Sequence, residues 1–310
     1  MRFIKDAHID FISQTRLGFM ISGFVILAGL ISLFLQGGPK LSIDFNGGTM
    51  IAVTYTEEMD IEEVRESMSH VIIDGVTYDF RNEEIKHFGD AKNVSARLPQ
   101  VEEKHENFAQ GVVDHLYRSF PGKVPANAGE FILSIEKVGP KIGAELGGNA
   151  IMAILTSLVL ILAYISVRFE FKFALGAIAA LTHDVLITIG IFSIMDYEIS
   201  LPVVAAFLTI VGYSLNDTIV IFDRIRENVK ARKRDSYPVV VNDSINESLS
   251  RTVITSMTTF FVVFILWIFG GEVIHNFAFA MIIGVVVGTY SSIYIASPIV
   301  VQLHKAEVPK

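Results

Sequence analysis

The chain contains no cysteine, which rules out disulfide frameworks, thiolate metal sites and thiol nucleophiles. Charge is scarce too. Asp, Glu, Lys and Arg make up 19% of the residues against 51% hydrophobic ones, whereas a soluble domain carries about 25% charged residues. The shortfall is concentrated in long uncharged runs, which excludes a soluble enzyme. The net charge of -8 is local, because segment 37–145 alone holds 19 Asp and Glu against 11 Lys and Arg. What the chain does have is apolar runs of spanning length, with a few polar groups inside them.

A spanning helix needs about 20 mainly apolar residues. Segments 17–36, 147–167, 172–195, 201–222, 250–270 and 274–301 qualify. Beyond Lys172 at the first position of its segment and the tyrosines, their ionisable residues are His183, Asp184, Asp217, Arg251 and His275. The spacing divides the chain into an N-terminus with span one (1–36), an outer segment (37–146), a five-helix bundle (147–302) with a connection at 223–249, and a tail (303–310). Basic residues in short connections set orientation. Arg2, Lys5 and Arg16 precede span one, and Arg168 and Lys172 lie between spans two and three. The run from Arg224 to Arg234 follows span four, and Lys305 and Lys310 close the chain. The alternate connections, Asp196–Ser200 and Gly271–Val273, hold no Lys or Arg. This pattern predicts cytoplasmic termini and an exported segment 37–146. Span one reads as an uncleaved signal anchor, because it has full spanning length and Gln36-Gly37-Gly38-Pro39 offers no small-x-small cleavage site. The basic run at 224–234 reads as a topology determinant touching anionic lipid, not as a nucleic-acid site.

The outer segment alternates periods. Residues 41–56 are extended, with Gly47-Gly48 marking a bulge or bend. Residues 60–73 carry apolar side chains at helical spacing behind Asp60 as N-cap. Strands are expected at 76–80, 83–88 and 93–98, then a helix at 101–119 with Phe108, Val112, Val113 and Leu116 on one face, then a strand at 130–138. The order β-α-β-β-α-β predicts a ferredoxin-like α+β domain. His70, His87, His105 and His115 are scattered without metal-ligand spacing and read as solvated surface. A protein-contacting role fits better than an enzymatic one.

Polar residues in the spans are the candidate site. A charge at mid-membrane costs roughly 2.5–3.5 kcal/mol on insertion scales, so such residues are functional candidates by default. Tyr213, Asn216, Asp217 and Val220 share one face of span four, beside Gly212. Span five offers Arg251, Thr255 and Thr258, with Thr252, Ser256 and Thr259 adjacent. Asp217 and Arg251 are expected at similar depth, where Arg251 would tune a titrating Asp217. The bland alternatives are a snorkelling anchor for Arg251 and a neutral, hydrogen-bonded acid for Asp217. His183-Asp184 in span three, on a face with Gly176, Ala180 and Thr188, has two readings of equal weight: part of a proton path, or an interhelical hydrogen-bonding pair. Gly284, Gly288, Ser292 and Ala296 form a small-residue packing seam.

Several stretches in order carry a resemblance. They are Asp44-Phe45-Asn46-Gly47-Gly48-Thr49, Val138-Gly139-Pro140-Lys141-Ile142-Gly143, His183-Asp184, Val211 to Thr218, Asp223 to Asn228, Asn246 to Thr252, and Gly288-Thr289-Tyr290-Ser291-Ser292. Over nearly its whole length the chain resembles the SecF family of bacterial protein-export membrane subunits, within the RND superfamily. The resemblance implies six spans forming half of an RND-type transporter and a separate-subunit form. The implied partners are SecD, the SecYEG channel, YajC and unfolded exported polypeptides. It also implies residence in the bacterial cytoplasmic (inner) membrane and use of the proton-motive force to promote late translocation. Protons are then the coupling ion, with no other cofactor and no metal. The residues matching Asp217 and Arg251 are associated with proton movement in that family, and Asn216, His183 and Asp184 accompany them as candidates. Two rivals remain: half of a small-molecule or lipid exporter of the same superfamily, and a scaffold whose polar residues act only in helix association.

Overall fold

The computed structural model describes residues 8–99 and 107–307. Arg2, Lys5, Lys310, His105 and the first residues of the helix expected at 101–119 lie outside them. The chain divides into two compact units, Met1–Lys40 with Ala150–Lys310, and Leu41–Asn149.

The first long helix, α1 (Thr15–Leu35), is followed by a short helical turn α2 (Ile43–Asn46) and the strand β1 (Gly48–Thr54). Gly47 (φ +73°) and Gly48 (φ +131°) make the bend between them, and a Cβ on Gly48 would lie 2.7 Å from the Leu98 carbonyl oxygen. The helix α3 (Ile61–Ser67) starts where Asp60 caps it, its carboxylate accepting from the Glu62 amide at 2.9 Å.

Beyond Ser67 the expected helix stops. A single 3-10 turn leads into β2 (Val71–Ile73), which pairs with β3 (Val76–Tyr78). Asp74 (φ 50°) and Gly75 (φ 82°) both adopt the left-handed conformation of a two-residue hairpin turn. The β-branched run Val71-Ile72-Ile73 followed by Asp-Gly carries this hairpin, and its local chemistry overrode the helical spacing.

Strands β4 (Glu84–Phe88) and β5 (Asp90–Leu98), helix α4 (Phe108–Ser119), the turn α5 (Ala128–Phe131) and strand β6 (Ile132–Val138) complete the unit. The four-stranded antiparallel sheet has the order β4-β5-β1-β6. This is the split βαβ arrangement expected from the sequence: β5 lies between β1 and β4, and the last strand returns beside β1. Helices α3 and α4 contribute Val64, Val112, Val113 and Leu116 to a core shared with Ile51, Val53, Val94 and Leu98 of the sheet. Phe131 is fully buried there, edge-on to Tyr55 (5.2 Å) and Tyr117 (5.3 Å). Phe131→Ala is expected to cost this domain about 3–5 kcal/mol. Faster hydrogen exchange across β1 and β6 of the full-length chain would report the loss.

Five more long helices follow: α6 (Pro140–Arg168), α7 (Phe171–Ile194), α8 (Leu201–Ala231), α9 (Tyr237–Phe269) and α10 (Glu272–Ser291). The last continues through one π turn (Ser292–Ala296) into α11 (Ser297–Glu307). Counting α10–α11 as one rod, six helices among the described residues are long and apolar enough to cross a membrane. Every backbone group within such a span is satisfied internally, which is why helices are the form these runs take in hydrocarbon. Helices α7, α8 and the α10–α11 rod supply most of the buried core, while α1, α6 and α9 turn large apolar side chains outward, among them Phe24, Leu160 and Val262.

Helices α8 and α9 outrun their apolar stretches, so most of 223–249 is helical and only Arg232–Ser236 interrupts it. The reason is amphipathic periodicity: Ile225, Val241 and Ile245 are buried in the same core as Phe222. Arg232 closes the turn, its guanidinium bonding Asp235 and Asp243 at 2.6 Å each, and these bonds raise its pKa further.

Candidate functional site

Asp217 lies on the inward face of α8 and is 3% exposed. Its Oδ2 accepts from Ser256 Oγ of α9 at 3.4 Å. Ser256 Oγ is 2.6 Å from Thr289 Oγ1 of α10, and Thr289 in turn donates to the Val285 carbonyl at 2.7 Å. A carboxylate and two hydroxyls thus join three helices in one chain of contacts. Thr218 and Thr252 are buried in the same helices, and the Thr252 hydroxyl has no hydrogen-bond partner.

Arg251 is placed differently. It is exposed and lines a cavity of about 750 Å³ between α8 and α9, together with Asn216, Asp223, Arg224, Glu247 and Thr255. Asp217 and Arg251 do not form an ion pair: the carboxylate turns to Ser256, and the guanidinium faces the cavity. Asn216, adjacent to Asp217 in sequence, is exposed and belongs to the cavity wall. The hydroxyl-rich face expected on α9 therefore splits, with Thr252 and Ser256 buried and Thr258 exposed.

His183 and Asp184 of α7 form a second, fully internal cluster. His183 Nδ1 is 2.9 Å from Asp184 Oδ1, and His183 Nε2 is 2.9 Å from Ser22 Oγ of α1. Asp184 Oδ2 accepts from Ser214 Oγ of α8 at 2.6 Å and from Ser291 Oγ of α10 at 2.8 Å. Ser22 donates to the Tyr290 hydroxyl at 3.2 Å, and Tyr290 donates to the Gly18 carbonyl at 2.7 Å. The small-residue face beside Asp184 lets other elements come close, since a Cβ on Gly176 would meet the Ala296 carbonyl at 2.9 Å. Sequence reasoning did not single out Ser22, Ser214, Thr289, Tyr290 or Ser291 as site residues. Their signal was the density of hydroxyls in otherwise apolar runs, concentrated at 289–292.

The chain thus combines a hydrophobic bundle, a buried carboxylate reached by hydroxyls and a ferredoxin-like domain between the first two spans. Residues 125–306 match the family model described as protein export membrane protein SecD/SecF, C-terminal. The chain belongs to the SecD/SecF family. The protein translocase subunit SecF of Calditerrivibrio nitroreducens is 43% identical over 298 residues, covering 96% of this chain and 94% of that relative. SecF of Vibrio alginolyticus is 40% identical, covering 95% of this chain and 90% of its own length. Among solved structures, SecDF of Thermus thermophilus, titled a translocon-associated membrane protein, superposes with a TM-score of 0.83 at 35% identity. That match covers 97% of this chain but 39% of the longer SecDF polypeptide.

Proposed function

We propose that this chain, an accessory membrane subunit of the protein translocase, couples the transmembrane proton gradient to late movement of exported polypeptides, with Asp217 as the group that takes up and releases the proton. The observation that carries this role is a carboxylate buried in a spanning helix next to a polar cavity. An ionised Asp217 accepts the Ser256 hydrogen. When the proton sits on Oδ2, Asp217 donates to Ser256 instead, and Ser256 turns its hydrogen toward Thr289, whose own goes to the Val285 carbonyl. A proton at that oxygen therefore moves the Ser256 hydrogen of α9 from Asp217 of α8 to Thr289 of α10. Arg251 stays charged throughout and modulates the acid from the cavity side without carrying the proton itself.

The basic residues of the connections put both termini in the cytoplasm, in the bacterial inner membrane, and put the α+β domain on the outer side. There it would contact unfolded exported chains. A SecD-type subunit would supply what the longer SecDF polypeptide has beyond the matched part, and SecYEG and YajC would complete the assembly.

Inverted membrane vesicles carrying the translocase test the coupling. A proton gradient is expected to stimulate export when the chain is present, and Arg251→Gln to cut that stimulation roughly tenfold, within the usual range of coupling between sites. Equal export with and without the gradient would remove the role. Recovery of SecD-like and SecY-like subunits with the chain in mild detergent tests the partners.

A further inference from the structure

The buried dyad of α7 takes no part in the chemistry assigned to Asp217, yet it holds an ionisable pair in the interior of the bundle. Asp184 is fully buried and His183 is 6% exposed. No Lys or Arg is buried among the described residues. The groups that face the dyad are Ser22 from α1, Ser214 from α8, and Tyr290 and Ser291 from α10, with Tyr294 stacked on Tyr290 at 5.0 Å. Asp217, the other buried carboxylate, lies three residues along α8 from Ser214 and is engaged with Ser256. Among the described residues only His183 can therefore balance a charge on Asp184, and a buried carboxylate without a counter-charge is costly.

Counting hydrogens leads to the same place. Tyr290 has one hydroxyl hydrogen, and its 2.7 Å contact to the Gly18 carbonyl commits it there. In the 3.2 Å contact between Ser22 and Tyr290, Ser22 must then be the donor. Ser22 has one hydrogen as well, so in its 2.9 Å contact with His183 Nε2 it can only accept. His183 must then carry a proton on Nε2. Ser214 donates to Asp184 Oδ2, and Ser291 gives its one hydrogen to the same oxygen at 2.8 Å in preference to the Gly288 carbonyl at 3.1 Å; the remaining contact, Nδ1 to Oδ1 at 2.9 Å, needs one more proton between the two residues. All of these contacts are satisfied together only when the dyad holds two protons, giving it no net charge. With one proton fewer, Ser22 turns its hydrogen to Nε2 and its bond to Tyr290 is lost.

We infer that the His183–Asp184 dyad is a second proton-binding site, separate from Asp217, whose occupancy switches Ser22 between His183 and Tyr290 and so changes the tie between α1 and α10. A proton arriving at the dyad sits between Oδ1 and Nδ1 or on Nε2, and the Ser22 hydrogen moves to Tyr290. The dyad and the Asp217 cluster meet the same turn of α10, through Tyr290 and Ser291 on one side and Thr289 on the other. The inference does not depend on Asp217 carrying the coupled proton.

The test is nitrogen NMR of the full chain, labelled at histidine and held in lipid nanodiscs, over a series from acid to alkaline buffer. His183 is assigned by loss of its signal in His183→Gln or, should that variant not accumulate, by the signal that moves in Tyr290→Phe. The expected result is an Nε2 that passes from protonated to bare as pH rises, in Asp217→Asn as in the parent chain. Tyr290→Phe keeps the stacked ring but removes the acceptor of the Ser22 hydrogen. It is expected to lower the Nε2-protonated fraction about threefold at a given pH, the effect of losing one neutral hydrogen bond. An Nε2 that is bare throughout, or protonated throughout, overturns the site. Loss of the titration in Asp217→Asn overturns its independence.

Discussion

Replacing Asp217 by Asn is expected to abolish the gradient-dependent part of export while the chain still accumulates in the membrane. The amide has the shape of the carboxyl and its oxygen can still accept from Ser256, so the junction of α8, α9 and α10 survives. A neutral amide is also cheaper to bury than a carboxylate at 3% exposure, so stability is not the first thing lost. What disappears is the capacity to exchange a proton. Asp217→Glu separates chemistry from packing: it keeps the acid but adds a methylene to a packed position, at about 1–3 kcal/mol. Intermediate stimulation is expected from it. Export of a secreted reporter, timed with and without an uncoupler and normalised to the amount of chain in the membrane, gives the measurement. Normal stimulation by the Asn variant would take Asp217 out of the mechanism.

Gly29→Leu is expected to bring the largest loss of stability in the bundle. A Cβ on Gly29 would sit 2.6 Å from the Gly190 Cα, and one on Gly190 would sit 2.9 Å from the Gly29 Cα. Both sides of this contact are backbone, so no side chain can move aside and α1 must separate from α7. Small residues at a crossing are what allow helices in lipid to pack so closely. Separation would also break contacts of the same pair of helices: Ser32 to Ser193 at 2.8 Å, Gln36 to the Ser193 carbonyl at 2.8 Å, and Ser22 to His183 at 2.9 Å. Overpacking at about 1–3 kcal/mol, with three hydrogen bonds at about 0.5–1.5 kcal/mol each, exceeds what most single substitutions cost. Gly23→Leu is the matched control on the same helix, because nothing lies within 4 Å of its Cβ position. Thermal aggregation of the two purified variants decides the matter, and equal midpoints would show that the Gly29–Gly190 approach does not hold α1 in place.

Some of this could be read directly from residue order. Asp60 capping α3, the strand–helix alternation of the outer domain and the six apolar runs depend on neighbours a few residues apart, where propensity and periodicity act. The hairpin at Asp74-Gly75 was also local, and its turn chemistry was the signal that helical spacing obscured. The continuation of α8 and α9 beyond their apolar runs was harder to see. There hydropathy falls while burial continues on one face, at Ile225, Val240 and Ile245.

By itself the sequence determined the spans, the order of elements in the outer domain, the family, and the anomaly of charged groups in hydrocarbon. The spans and the anomaly follow from the cost of unsatisfied backbone and charge in lipid, which residue type alone sets. Only the tertiary structure decided which polar groups meet. Asp217 and Arg251 lie on neighbouring helices, yet helix rotation turned one to Ser256 and the other to the cavity. His183 found Ser22 on α1 across 161 positions, and Asp184 found Ser291 on α10 across 107. Such contacts depend on the rotation and crossing of whole helices, set by glycine seams and summed side-chain packing.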